Sequence, residues 1–355
     1  MFLAFKKISL AVAASLVGLI LCEGALRLTT GSDFPETETF FRGLLIYDPV
    51  VSWRNVPGVI SGRRMANDRW VETTYEVNSM GFRGPEIRRD KPEGVTRIVC
   101  LGDSGTFGVL SLSDDSAPDG YRFFAIPNYP DFLQARLFRE GLNNVEVINA
   151  GVVGYSSNHG LRQLIVKVLE LEPDIITVRF SANDSHPSWD TARRSIEPSN
   201  PVTRALLYNF HDWKITRLLL HTYQSIPGFH PEKDSVLWTS SKRFKTNLER
   251  MIELGRQHDA EVIFIDYPIP VLEKKDREDR QARYGRARFH LIPKLQAIVH
   301  SVALFNGVEL LETRQPLLAG AAELFDKRDL VHPNERGAAL IADLLFEKLQ
   351  SLDWL

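Results

Sequence analysis

Short apolar runs that alternate with segments of helical spacing constrain the fold of this chain more than any other feature. Each run has the length of a buried strand, and the runs lie at positions 98–101, 147–150, 174–180, 262–265 and 308–311. Apolar residues recur at intervals of three and four near 161–168, 244–252 and 341–349. Alternating strands and helices favour a parallel sheet with helices on both faces. The sequence therefore predicts an α/β fold with a mainly parallel, five-stranded sheet.

Polar or flexible residues follow the first three predicted strands. Ser104 ends a Gly-Asp-Ser turn after the first strand, Gly154 lies in a glycine-rich loop after the second, and Asn183 follows the third. Parallel sheets bind their ligands outside the carboxyl ends of the strands. We therefore expect these residues to lie close together at one edge of the sheet.

A carboxylate and a histidine stand near the end of the chain, in Asp329-Leu330-Val331-His332. A serine hydroxyl needs a base to take its proton as it attacks, and an imidazole titrates near neutral pH. Asp329 is close enough in sequence to hold that ring in one tautomer and to stabilise its charged form. Ser104, His332 and Asp329 thus supply the nucleophile, base and orienting acid of a serine hydrolase.

Each of these residues has a structural alternative when it is taken alone. A Ser after a strand is often a helix cap, and a lone histidine is often a surface residue. The loop around Gly154 is compatible with a simple strand-to-helix turn, and Asn183 with an Asn-Asp turn. The order and context of the whole set favour catalysis.

The four blocks resemble those of the SGNH hydrolases, the GDSL-type esterase and lipase superfamily, over residues 95–350. The family serine corresponds to Ser104, and its block-two glycine to Gly154. Its asparagine corresponds to Asn183, and its Asp-x-x-His to Asp329 and His332. The resemblance implies a three-layer α/β/α sandwich of the flavodoxin-like kind. It also implies an oxyanion hole made by the N–H groups of Ser104 and Gly154 and the side chain of Asn183.

Two residues depart from the family pattern. Gly105 follows the serine, where the family often has Leu or another apolar residue, and Ser181 stands where the third block usually has Gly. Glycine at position 105 only loosens the turn that carries Ser104. The Ser181 side chain is expected to narrow or reorient the oxyanion loop.

The amino terminus has the pattern of a signal anchor. Lys6 and Lys7 precede an uncharged apolar run at 8–22, with no convincing cleavage site after it. We expect residues 1–29 to form an uncleaved transmembrane helix, with a cleaved signal peptide as the alternative. The lysines favour an amino terminus in the cytoplasm. This pattern predicts a single-pass protein of the cytoplasmic membrane, with its catalytic domain outside, in the periplasm where a cell has one.

The rest of the chain divides into a connecting region at 30–95 and a hydrolase domain at 96–355. The connecting region contains the segment 77–84, which resembles one found ahead of the nucleophile block in some membrane-anchored bacterial SGNH proteins. We expect it to form a turn that packs Phe82 on the hydrolase domain. The region at 185–234, rich in aromatic residues, Pro and His, is interpreted as an inserted lid, with surface packing as the alternative.

Composition limits the partners. The net charge of −2 argues against a nucleic-acid partner. The histidines are scattered without ligand spacing, so neither a metal nor another cofactor is expected.

These observations predict a carboxylic ester hydrolase that forms an acyl-enzyme on Ser104. The predicted export favours an acylated substrate of the cell envelope, either a glycan, a lipid or a small molecule. Two alternatives stay open. One is an O-acyltransferase that passes the acyl group to an exported polysaccharide, and the other is a non-catalytic protein that binds or assembles glycans.

Overall fold

A computed structural model gives the fold of the chain. It describes residues 2–31, 39–40, 43–66, 69–113, 121–185, 208–224, 239–266, 286–326, 329 and 331–355.

The chain divides into two compact units. The N-terminal unit contains the described residues of 1–54 and 190–233, and the hydrolase unit contains those of 55–189 and 234–355. All residues predicted to act in catalysis belong to the hydrolase unit.

The helices of the described residues begin and end as follows: α1 Phe2–Thr29, α2 Ser104–Phe107, α3 Tyr129–Arg139, α4 Ser157–Gln163, α5 Lys214–Gln224, α6 Ser241–Gln257, α7 Arg286–Asn306, α8 Arg314–Ala319, α9 Ala321–Leu324 and α10 Glu335–Ser351. Helix α4 continues through a π-helical turn at Leu164–Val168 and a 3-10 turn at Leu169–Leu171.

The strands are β1 Thr39–Phe40, β2 Leu45–Asp48, β3 Ser52–Asn55, β4 Gly58–Ala66, β5 Arg69–Val77, β6 Thr96–Gly102, β7 Val109–Ser113, β8 Tyr121–Ala125, β9 Val145–Gly151, β10 Ile175–Arg179, β11 Glu261–Ile265 and β12 Glu309–Leu311.

The central sheet of the hydrolase unit has five strands in the order β12-β11-β10-β6-β9. Every pairing in it is parallel. These strands correspond to the five apolar runs, which confirms the predicted α/β fold with a parallel sheet. Strand β6 comes first along the chain, and later strands add on both of its sides. Its carboxyl end is therefore the switch point, where parallel sheets bind ligands.

Helices cover both faces of this sheet. On one face Ile98 and Cys100 of β6 share a buried cluster with Leu133 of α3 and Leu345 of α10. Side chains alternate along a strand, so the intervening residue Val99 points to the opposite face. Helices α4, α6 and α7 contact strands of the sheet or one another, and form the second helical layer. The result is a three-layer α/β/α sandwich.

Asparagine caps begin the two helices that lie on the first face. The Asn128 side chain accepts the Tyr129 N–H, and together with Asp131 it forms a capping box. The Asn334 side chain accepts the N–H groups of Arg336 and Gly337 at the start of α10. The second cap fixes the point at which the chain leaves the loop of His332.

Two hairpins form a second sheet in the hydrolase unit, in the order β5-β4-β8-β7. Strands β4 and β5 pair from Gly58↔Val77 to Ala66↔Arg69. Strand β8 pairs with both β4 and β7. The sequence predicts only a connecting region where β4 and β5 lie. One reason is that β5 is exposed along much of its length and has no continuous apolar run.

Part of the predicted lid lies in the N-terminal unit, where α5 packs on α1. The buried Glu23 carboxylate accepts the N–H groups of Lys214 and Ile215, each at 3.0 Å, at the start of α5. Arg27 Nε donates to Glu23 at 2.6 Å. Residues 186–207 and 225–234 of the segment lie outside the described residues, so its role as a lid stays a prediction.

The predicted transmembrane helix is not found among the residues that the structure describes. Helix α1 covers nearly all of the predicted range, but among the described residues no helix is long and apolar enough to cross a membrane. The cellular location stays a prediction from the sequence.

Gly151 ends β9 where this strand passes close to α2. A side chain here would overlap the backbone of Thr106 and Phe107. We therefore expect Gly151→Ala to lower the free energy of unfolding by about 1–3 kcal/mol, as overpacking does. Thermal unfolding measures the effect. Gly24→Ala is the control, because a side chain at Gly24 meets no atom within 4 Å. Equal melting temperatures for the two variants would contradict the close approach.

Candidate active site

The predicted nucleophile lies on a short, buried turn, residues 103–108, at the switch point of the sheet. Strand β6 ends at Gly102, and Ser104 is the first residue of α2. The cap of α2 is Asp103, whose side chain accepts the Gly105 N–H at 2.8 Å. Ser104 is therefore not the helix cap of the structural alternative. Its Oγ lies 2.8 Å from Nε2 of His332, which is the distance of a hydrogen bond.

His332 is oriented by Asp329. Its Nδ1 lies 2.9 Å from Oδ2 and 3.1 Å from Oδ1 of the carboxylate. The same carboxylate accepts the N–H groups of Val331 and His332 at 3.0 Å each, and that of Ser111 on β7. A carboxylate at Nδ1 favours the tautomer with its proton on that atom, which leaves Nε2 to accept the Ser104 proton.

Exposure differs along this chain of hydrogen bonds. Asp329 is buried, with 1% of its surface exposed, whereas Ser104 is 9% and His332 8% exposed. Ser104 and His332 thus keep a small exposed surface, while the carboxylate is almost fully withdrawn from water. The structure thus brings the three residues together in the arrangement that acyl transfer requires.

Gly154 and Asn183 lie on two loops that are tied to each other and to the end of β6. The Val152 N–H donates to Gly102 O at 3.2 Å, and Asn183 Nδ2 donates to Tyr155 O at 2.9 Å. Gly154 lies between these anchor points with φ = 82°, in the region that favours glycine. A side-chain amide has two N–H donors, so the contact with Tyr155 leaves a second N–H for a ligand.

Buried polar side chains hold the carbonyl groups of the nucleophile turn. Helix α2 is too short to satisfy these groups itself. Gly105 O accepts from Arg179 Nη1 at 2.9 Å and from Asn128 Nδ2 at 2.7 Å. Asn149 Nδ2 donates to Thr106 O at 2.9 Å. Because Arg179 ends β10 and Asn149 lies on β9, the turn is fixed from the strands on both sides of β6.

Arg83, from the segment 77–84, holds the end of the same turn. Its Nη1 donates to Gly108 O at 3.0 Å, and its guanidinium lies 4.3 Å from the centre of the Tyr75 ring. Arg83 is 3% exposed, and Phe82 beside it is also buried. The segment therefore packs inside the hydrolase unit and also supports the nucleophile turn.

Ser181, which stands where the family usually has Gly, is buried and has an unusual backbone. Its φ is 157°, in a region that glycine occupies more readily than other residues. Its Oγ accepts Gln296 Nε2 at 2.6 Å. The hydroxyl thus ties the loop of Asn183 to α7.

Asp184 is buried next to Asn183. Its carboxylate accepts the Ser157 N–H at 3.0 Å and the Ser157 hydroxyl at 2.6 Å. Burial raises the pKa of Asp184 to about 6, although the donors of Ser157 and Thr239 oppose the shift. Asn247 Nδ2 donates to Ser157 Oγ at 2.9 Å, so the network extends to α6.

Sequence reasoning missed most of the residues that support the site. Arg179 had a usable signal, since a charge within an otherwise apolar strand needs a buried partner. Asn149, inside the second predicted strand, had a similar signal, because a buried amide also needs hydrogen-bond partners. Ser111 had none, because it contributes only its backbone N–H.

The sequence profile of the GDSL-like Lipase/Acylhydrolase family matches residues 100–340. The match covers more than half of the chain and includes every predicted site residue. The chain therefore belongs to this family and is a carboxylic ester hydrolase. This finding confirms the family resemblance stated from the sequence.

Several solved structures are similar to this chain. A lipase/acylhydrolase from Enterococcus faecalis is 21% identical with a TM-score of 0.45, over 73% of this chain and 97% of that one. An acetylxylan esterase from Geobacillus stearothermophilus is 13% identical with a TM-score of 0.44, over 72% and 94%. A GDSL-like lipase from Bacteroides thetaiotaomicron is 15% identical with a TM-score of 0.41, over 72% and 89%. No curated protein matches the sequence.

Arg83→Lys keeps the charge but loses the planar guanidinium that reaches the carbonyl groups of Phe107 and Gly108. We expect kcat for a small ester to fall about tenfold to hundredfold, because a misplacement of about 1 Å has that cost. KM should change little. Steady-state kinetics of the folded variant measure both constants.

Arg97→Lys is the matched control. Arg97 is also buried and donates to Leu171 O at 2.7 Å and Arg88 O at 2.9 Å, but it lies near the opposite end of β6. This variant should lower the melting temperature and leave kcat unchanged. The same kcat in both variants would contradict the positioning role of Arg83.

Asp184→Asn should change how stability depends on pH. A carboxyl whose pKa is raised to about 6 in the folded state stabilises the fold fully below its unfolded pKa of about 4, and loses this contribution as pH rises through about 6. An amide does not titrate. The melting temperature of the variant relative to the wild type should therefore rise between pH 4 and pH 7. A difference independent of pH would contradict the assignment.

Proposed function

We propose that this ester hydrolase acts through a Ser104–His332–Asp329 triad and a covalent acyl-enzyme. The observation that carries the proposal is the unbroken chain from Ser104 Oγ to His332 Nε2 at 2.8 Å and from His332 Nδ1 to Asp329 Oδ2 at 2.9 Å.

Acylation follows from this geometry. Ser104 Oγ attacks the ester carbonyl carbon while His332 Nε2 takes its proton. The tetrahedral intermediate then breaks its bond to the alcohol oxygen, and Nε2 returns the proton to the leaving alcohol. Water attacks the acyl-enzyme by the same route and releases the acid and free Ser104.

Asp329 stabilises the imidazolium formed in each step. Val331, His332 and Ser111 direct their N–H groups to its oxygen atoms, so both oxygens act as acceptors. Asn at this position would direct an N–H toward one of these donors, whichever way its amide is turned.

The oxyanion is assigned to the N–H groups of Ser104 and Gly154 and to Asn183 Nδ2. What supports this assignment is the pair of anchored loops that hold Gly154 and Asn183 at the carboxyl edge of the sheet. Preorganised donors of this kind are worth about 3–4 kcal/mol each at the transition state.

The substrate is proposed to be an acyl ester of a glycan or lipid of the cell envelope. Support comes from the sequence alone, through the predicted export. Water is the acyl acceptor in this proposal. Transfer to a polysaccharide hydroxyl uses the same triad and differs only in the acceptor.

We expect the full-length protein to hydrolyse p-nitrophenyl acetate, and Ser104→Ala and Asp329→Asn each to lower kcat/KM about 10⁴-fold or more. Release of p-nitrophenol measures the rates. Ser351→Ala, which changes an exposed serine at the end of α10, is the control and should be fully active. A series of longer esters then separates acetyl esters from lipid esters.

Activity retained by Ser104→Ala would contradict the triad. Slow acetate release by the wild type, together with fast acetyl transfer to an added glycan, would show that a sugar hydroxyl and not water is the acyl acceptor. Binding of glycan without either reaction would favour a non-catalytic role.

A further inference from the structure

A cavity of about 620 Å³ lies between the β4–β5 hairpin and the start of α10. Met65 and Trp70 line it from the hairpin, and Phe325, Asp326 and Glu335 from the opposite wall. Sites for small organic ligands have volumes of about 300–1,000 Å³. The cavity is therefore large enough for such a ligand.

One wall of the cavity is continuous with the proposed catalytic loop. Phe325 forms a β-bridge with Pro333, which closes the base of the loop that carries Asp329 and His332. Asp326, which also lines the cavity, follows directly on the bridge. A ligand in the cavity thus contacts the base of the loop that holds the proposed base and acid.

The wall formed by the β4–β5 hairpin is also linked to the proposed catalytic loop, through contacts that lead to Asp329. The Met65 N–H donates to the Glu335 carboxylate, and Met65 pairs in register with Trp70. Trp70 packs on the cluster that contains Leu110. The next residue, Ser111, donates its N–H to the carboxylate of the proposed triad. Both walls are therefore held in place by elements of the candidate active site.

The side chains that line the cavity suit hydroxyl groups. Glu323, Asp326 and Glu335 supply carboxylate acceptors, and Arg336 supplies guanidinium donors. The indole of Trp70 adds an apolar face with a polar edge. Glu335 is half-buried, and this burial raises the pKa of its carboxyl. Three of these four charged side chains are acidic, so an anionic ligand is disfavoured. A lipid chain is also disfavoured, because burial of charged groups against hydrocarbon is costly.

We propose that this cavity binds the neutral saccharide part of the substrate, beside the acylated unit on which Ser104 acts. The inference rests on the proposed function and narrows it, because it makes glycan esters rather than lipid esters the substrate class. Trp70 stacks on a sugar ring, and the carboxylates and Arg336 bond to its hydroxyl groups.

The test compares two esters on the full-length protein. p-Nitrophenyl acetate contains no sugar, whereas acetylated xylotetraose is a neutral oligosaccharide. Trp70→Ala should raise KM for acetylated xylotetraose about tenfold to thirtyfold, as loss of a central Trp does in a binding site. It should lower kcat/KM for p-nitrophenyl acetate far less than this. KM for the glycan should be equal at low and high salt, because a neutral ligand is not screened.

Two further variants complete the test. One is a control, and the other tests the cavity without replacing Trp70. Val71→Ala is the control, because Val71 neighbours Trp70 on β5, is 42% exposed and does not line the cavity. It should change neither ester. Arg336→Gln alters an exposed residue of the lining, and should raise the same KM even where Trp70→Ala fails to fold.

Direct binding separates this inference from the proposed function. In calorimetry, Ser104→Ala protein should bind acetylated xylotetraose, and the Ser104→Ala, Trp70→Ala double variant should bind it at least about tenfold more weakly. Wild-type protein that binds the glycan through Trp70 but hydrolyses neither ester would overturn the proposed function and leave the cavity assignment standing.

Two results would overturn the cavity assignment. Equal losses for both esters in Trp70→Ala and Arg336→Gln would show that these residues only support the fold. No change for the glycan in either variant, by kinetics or by calorimetry, would show that the cavity does not bind the saccharide.

Discussion

One buried carboxylate joins the separate parts of this site. Asp329 accepts the N–H groups of Val331 and His332 from its own loop, that of Ser111 from β7, and the imidazole of His332. A buried carboxylate is stable only when its oxygen atoms are paired. The loop, the strand and the imidazole must therefore keep their positions together. This constraint explains why a hairpin outside the central sheet belongs to the site.

The nucleophile turn also depends on the pairing of buried polar groups. Here the buried groups are backbone carbonyls, and side chains supply the donors. Within this helix of four residues the Gly108 N–H pairs with Ser104 O, but the following carbonyl groups lie beyond the reach of helical partners. Arg179, Asn149 and Arg83 donate to these groups from the surrounding elements. These donors come from β10, from β9 and from the segment ahead of β6. Ser104 is thus positioned by the elements around its turn as well as by the turn itself, which is the preorganisation that acyl transfer needs.

The sequence predicted those features that depend on residue type over a short stretch. The five parallel strands were predicted because each is buried and apolar, and Ser104, Asp329 and His332 because few other residues perform their chemistry. The β4–β5 hairpin was not, because half-exposed strands such as β5 lack an apolar run. Helix α3 was also missed.

Contacts between residues far apart in the chain could not be predicted either. Glu23 accepts from the start of α5, and Met65 donates to Glu335. In both bonds the donor is a backbone N–H. Every residue except proline carries this group, so the sequence does not single out the donor. Among the described residues no helix is long and apolar enough to cross a membrane, although the basic and apolar pattern of the amino terminus is typical of a signal anchor.

Reaction with a fluorophosphonate tests whether His332 activates the hydroxyl of Ser104. The reagent adds to an activated serine hydroxyl, and peptide mass spectrometry locates the adduct. We expect a single adduct on the peptide that contains Ser104, and its loss in His332→Ala. An adduct on another residue, or equal labelling of Ser104 after His332 is replaced, would contradict the triad.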